Sequence, residues 1–324
     1  MTGDTEFETP KSVLVVGVLM VGVTLLFVHR FAGTVMTELA TEVVGDDESW
    51  RYRGMSTLWV LGGLLGALGA AMRFRLEVWR SSLSWGLRAC SMAAVLAVMA
   101  ENWTVLLIAS FATGASAGWL LTVLTTGMRA SVGTLRLGVI VGVGFALSVG
   151  LSEAALRLAA MFGDPIKGGG VVVALLVAAS SVVAPFLTPQ EPSMAMEPEY
   201  RGRGLLIQWL VLTAIAVGIT AAGSGALAPP LWWWLALAVA PMLGGWLDAG
   251  QRRWPLIAAI GLVAVALSGV VGGFLAGGLT LLAGTLLTVC AIYFAARGGR
   301  VWVAAGTMAW VVFLGPYVVG LFAA

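Results

Sequence analysis

The feature that most limits this chain is its succession of long apolar runs joined by short polar turns. A helix crossing a bilayer needs about 20 mostly apolar residues. The stretch from Val13 to Val28 carries no charged side chain, and neither does the whole stretch from Trp254 to Ala296. Only 10% of the residues are charged, against about 25% in a water-soluble domain. So few charges cannot cover a surface facing water, and the solvent around most of the chain is lipid. Strands of a membrane barrel alternate apolar with polar residues; these runs are continuous, so helices are predicted. The 43 glycines suit close helix contacts in a bilayer.

Composition removes several functions. A net charge of +2 gives no basic surface for nucleic acid. Cys90 and Cys290 sit far apart in apolar runs, and His29 is the only histidine, so His/Cys metal centres, His-dependent triads and haem bundles have little to draw on. No cofactor and no metal is expected. Gly168-Gly169-Gly170 lacks the Lys-Ser/Thr partner of a phosphate loop, which speaks against ATP-driven pumping. Met1 to Pro10 is acidic and polar, unlike a secretory signal, so the first apolar run is expected to stay as a helix.

In order, the runs predict eleven helices. The first begins near Lys11 and continues through His29 and Arg30 to about Glu42, with Asp46-Asp47-Glu48 as an acidic loop after it. The second spans about Arg53 to Met72, the third Ser82 to Met99, the fourth Trp103 to Thr126, the fifth Leu137 to Met161, and the sixth ends near Pro185. Thr188 to Arg203 is rich in Pro and Glu and cannot span, so it reads as a linker. Five helices follow: about Leu205–Ala222, one that starts after Pro229-Pro230 and runs to Leu247, and then Trp254–Val271, Phe274–Ala296 and Val301–Phe322. This divides the chain into residues 1–187, a linker at 188–203 and residues 204–324. With the N-terminus inside, Lys11 and eleven arginines from Arg73 to Arg300 fall on the inner side, and Arg51, Arg53 and Lys167 on the outer side. The positive-inside rule therefore places the N-terminus inside and the C-terminus outside.

The most informative polar segment is Gly244-Gly245-Trp246-Leu247-Asp248-Ala249-Gly250-Gln251-Arg252-Arg253. It resembles the Gly-x-x-x-Asp-x-x-Gly-Arg-Arg loop of the major facilitator superfamily, which joins the second and third helices of each six-helix half. Gly244 and Asp248 hold the first two places, Gly250 comes one residue early, and Arg252 and Arg253 supply the bases. Its position after the eighth predicted helix is where that family carries it. The equivalent first-half loop, Gly69 to Arg75, keeps small residues and bases but has Met72 near the place of the acid. Glycine-rich helix five, with Gly138, Gly142, Gly144 and Gly150, also resembles the family; the Gly-Pro pair of its antiporter variant is absent.

The resemblance implies an all-α polytopic membrane protein with two helical bundles, moving a small solute by alternating access, and no enzyme activity. It also implies that Gly244, Asp248, Arg252 and Arg253 form a gating latch, the acid facing the start of helix five near Leu135 or Arg136. A solvated loop is the plainer reading. Twelve helices are usual, so the chain lacks the last one. A partner membrane chain could take its place, which leaves open an accessory subunit of a larger complex as the rival function. The setting expected is the inner membrane of a prokaryote.

Charged groups inside a membrane are functional candidates. Arg30 and His29 fall near the middle of the first helix, where the resemblance places the substrate cavity. Glu153 and Arg157, four apart, share a face of helix five. Arg30 could engage an anionic solute while Glu153 balances charge or carries a proton. Alternatively, Arg30 and Arg157 reach for the outer interface and Glu153 only pairs with Arg157. Trp119, with Thr122, Thr125 and Thr126 on helix four, could line a polar path, although membrane Thr hydroxyls often bond back to their own helix. Trp232-Trp233-Trp234 fit an aromatic belt.

Overall fold

The computed structural model describes residues 9–44, 49–162, 164–190, 211–219, 230–249, 254–271, 273–297 and 300–318. All regular elements among them are helical. The first span starts with α1 (Lys11–Leu25), passes through a π-helical stretch (Leu26–Val35) and ends as α2 (Met36–Val44). Then come α3 (Ser49–Arg73), α4 (Trp79–Val98), α5 (Trp103–Val132), α6 (Leu137–Ala159) and α7 (Pro165–Val183). Residues 211–219 form α8. The last helices are α9 (Pro230–Ala249), α10 (Trp254–Val270), α11 (Gly273–Arg297) and α12 (Val301–Met308), the last running into a second π-helical stretch (Ala309–Leu314).

Among the described residues, eight helical segments are at least 18 residues long and apolar enough to cross a membrane. Leu237–Ala249 and Trp254–Val270 are shorter apolar helices. Together with α8 they occupy the places of the eleven helices read from the sequence. The chain is an integral membrane protein. The acidic loop Asp46-Asp47-Glu48, the linker beyond Gln190, Gly250, Arg252 and Arg253 lie outside the described residues, as do the side chains of Trp232, Trp233 and Trp234.

Local chemistry sets the helix ends. Asn102 caps α5 by accepting from the Val105 N–H at 3.0 Å. Asp164 caps α7 by accepting from the Ile166 and Lys167 N–H groups, both at 3.0 Å, with Pro165 in the first helical place, where its missing N–H costs nothing. Asn102-Trp103-Thr104 is thus a helix start. α6 differs: Arg136 precedes it and makes no side-chain cap.

Close packing rests on two glycine crossings. In α3 and α5, a Cβ on Gly66 would lie 2.0 Å from the Ala115 carbonyl oxygen, and one on Gly118 would lie 2.1 Å from that of Gly63. In α6 and α9, a Cβ on Gly142 would lie 2.1 Å from the Ala240 carbonyl oxygen, and one on Gly244 would lie 2.2 Å from that of Gly138. Only glycine allows backbones this close. The first crossing joins neighbours among the first six spans. The second joins that group to the last five helices.

Candidate functional site

Two sites face each other along the molecule. One is a clasp at the start of α6. The Asp248 carboxylate, one residue from the end of α9, accepts the Gly138 N–H at 2.6 Å and the Val139 N–H at 2.8 Å. The first N–H groups of any helix lack partners within it, and the positive end of the helix dipole favours an anion there. A side chain from a helix 110 residues away in the chain thus does the capping that Arg136 does not. The glycines make this possible: a Cβ on Gly138 would sit 2.8 Å from the nearer Asp248 oxygen.

Further contacts gather at this end. Arg297, 3% exposed in the last turn of α11, adds positive charge within reach of Asp248. Its guanidinium donates to the Tyr293 hydroxyl, and that hydroxyl donates to the Leu247 carbonyl at 3.4 Å. Arg129, at the end of α5, donates to the Arg297 carbonyl at 3.1 Å, placing a cation at the negative end of α11. After α7 the chain is tied to the same end by the Gln190 N–H, which donates to the Ala130 carbonyl at 2.8 Å. Arg129, Arg297 and Tyr293 were not singled out in the sequence as latch residues. They lie at helix ends, where a base in the last turn is a readable signal.

The other site is a cavity of about 570 Å³, within the range of small-ligand pockets. The first span contributes Leu25, His29, Gly33, Thr34, Thr37 and Glu38; α3 contributes Met55, Ser56 and Trp59; and α5 contributes Ser110. From the last five helices come Ile219, Thr288, Ile292, Met308 and Val312. The cavity therefore lies between the same two groups of helices that the clasp joins. Gly33, Thr37 and Ser56 are exposed, so it opens to the outside of the protein. Both π-helical stretches border it, through His29, Ala32, Gly33 and Thr34 on one side and Val311 and Val312 on the other. π-helical turns recur at functional sites because they re-aim side chains within a helix.

Of the residues read from the sequence, His29 lines this cavity, its ring centroid 6.4 Å from that of Phe145 in an edge-on arrangement. Arg30 does not. It is partly buried on the same stretch, within electrostatic reach of Glu38 and Glu153. Glu153 and Arg157 pair with each other at 3.0 Å, with side chains 46% and 78% exposed, and neither borders the cavity. Trp119 forms no polar path there: its ring NH donates to the Ser82 carbonyl at 3.4 Å and its edge fills the space beside Gly86. Thr125 and Thr126 bond back to Leu121 and Thr122 within α5. Gly244 and Asp248 build the clasp.

The sequence reading passed over Glu38, Ser56, Trp59 and Thr288. Glu38 had a signal: Thr34, Thr37, Glu38 and Thr41 make a polar stripe at helical spacing. Among the described residues no group of three or more His, Cys, Asp or Glu could hold a metal.

No family model and no curated protein sequence matches the chain. Solved structures do. The human organic anion transporter MFSD10 (TETRAN) superposes over 96% of this chain and 92% of its own, at 14% identity and a TM-score of 0.60. FucP, a major facilitator superfamily transporter solved in the outward conformation, superposes over 97% of this chain and 92% of its own, at 13% identity and a TM-score of 0.60. The chain has the major facilitator fold. The match covers nearly the whole of both transporters.

Proposed function

We propose that this protein is a secondary transporter that moves a small solute by alternating access. The observation that carries the reading is the pairing of a closed end with an open one. Asp248 seals α6 to α9 at one end, while the cavity between the same helix groups opens at the other. Residues 1–187 and 204–324 would rock as two bundles about the linker at 188–203, exposing the solute to each side in turn. By the positive-inside rule the Asp248 end would face the cytoplasm, in the inner membrane of a prokaryote. On that orientation the structure is outward-facing, and Asp248 is the latch that holds it so. The fold and the lack of a clustered polar site in the sequence support transport over enzyme chemistry.

An accessory subunit of a larger membrane complex is the rival reading. A scaffold gains nothing from an open cavity ending in a charge-dependent clasp, so transport is preferred.

The test is accessibility. Ser56 lines the cavity and is exposed, so Ser56→Cys should react quickly with a membrane-impermeant maleimide applied from outside. Adding Asp248→Asn should slow that reaction severalfold, as the population moves to the inward-facing form. Equal rates in the two backgrounds would remove the latch and, with it, the reason to prefer transport.

A further inference from the structure

Resting on the transport reading, we propose that the cavity takes a small organic cation with an apolar body, its positive centre held by the Glu38 carboxylate and the face of Trp59. Among the described lining residues Glu38 is the one fully charged group, and no Lys or Arg joins it. Its carboxylate makes no ion pair or hydrogen bond with any described residue. With no base at ion-pair distance, this acid is countered only by the more distant field of Arg30, and an incompletely answered charge in a largely apolar site favours a further cation or a proton.

The rest of the lining fits such a guest. Trp59 stands on α3 with its ring 4.5 Å from that of Phe313, which fixes one face of the aromatic pair. An indole face attracts a cation, more strongly where water is scarce. Leu25, Met55, Ile292 and Val312 offer apolar surface, while Thr34, Thr37, Ser56 and Thr288 add hydroxyls. About 570 Å³ admits a molecule of a few fused or linked rings.

Arg30 then has a different part from the anion-binding one expected of its sequence position. It lies behind the lining and exerts its field on Glu38 and Glu153. It acts as the resident competitor of the incoming cation. Removing it should strengthen cation binding, whereas an anion site would lose its anchor.

The experiment uses the full chain in nanodiscs and two ions of one shape and opposite charge, tetraphenylphosphonium and tetraphenylborate, with empty nanodiscs as the baseline. Saturable binding is expected for the phosphonium and not for the borate. Glu38→Gln should weaken phosphonium binding about tenfold, Arg30→Ala should tighten it a few-fold, and Glu153→Gln should leave it within about twofold. Saturable borate binding, no saturable phosphonium binding, Glu38→Gln without effect, or Arg30→Ala weakening the phosphonium would each overturn the proposal. The Ser56 labelling shift under Asp248→Asn does not depend on the ligand. If that shift is present and phosphonium binding absent, only the substrate class fails; the reverse result would sink the transport reading and spare the site.

Discussion

The two glycine crossings share one geometry and are finished differently. Where α3 meets α5, Gly62, Gly66, Gly114 and Gly118 bring backbone onto backbone. The contact is then reinforced by a buried, uncharged bond, the Ser110 hydroxyl donating to the Met55 carbonyl at 2.9 Å. Where α6 meets α9, Gly138, Gly142 and Gly244 do the same, but the reinforcement is a carboxylate on a helix end. Dispersion between smooth backbones is insensitive to pH and to partners. A carboxylate on a helix end also holds through charge, and its two acceptor bonds are lost together when the helices part. On the proposed transport reading, the difference separates a permanent seam within one bundle from a releasable one between two.

The largest effect should come from filling the permanent seam. Gly66→Leu drives side-chain atoms into the Ala115 carbonyl, 2.0 Å from where a Cβ would stand. Overpacking of this kind costs about 1–3 kcal/mol or more. A severalfold loss of folded, monodisperse protein in mild detergent is expected; near-normal yield would show that α3 and α5 are free to separate.

A smaller change, Gly142→Ala, probes the other seam. Its Cβ would stand 2.1 Å from the Ala240 carbonyl oxygen, so α6 and α9 must move apart. Folded yield should fall less than for Gly66→Leu, and Ser56→Cys labelling should slow as it does with Asp248→Asn. If Gly142→Ala instead abolishes folding as completely as Gly66→Leu, the two seams are of one kind.

The smallest effect belongs to Trp119→Phe. It removes one long hydrogen bond to Ser82 and keeps the ring beside Gly86, at a cost of about 1 kcal/mol. Thermal stability should drop slightly, with cavity ligand binding unchanged. A large change in binding would return Trp119 to the solute path.

How much of this was readable follows from how local each signal is. Helix positions were, because an apolar run of bilayer length has one outcome in lipid: Leu137 as the start of α6 and Trp254 as the start of α10 match the expected boundaries. The fold followed from the spacing of Gly244 and Asp248 and its place after the eighth helix. Which way a charge points was not readable. Arg30 and His29 are adjacent, yet one lines the cavity and the other does not, because successive residues on a helix point to different faces and the sequence does not say which face meets the cavity. Arg129 meeting the end of α11 was equally hidden, since it depends on two helices 168 residues apart in the chain.

The most direct measurement is a distance across the clasp. Leu135 and Ala249 are exposed residues beside α6 and at the end of α9, and Cys90 and Cys290 are buried, so spin labels at Leu135→Cys and Ala249→Cys report that separation by pulsed electron resonance. Introducing Asp248→Asn should shift the distribution to a longer population while Ser56→Cys becomes harder to label: one end parting as the other shuts. An unchanged distance, or both ends opening at once, would contradict the account.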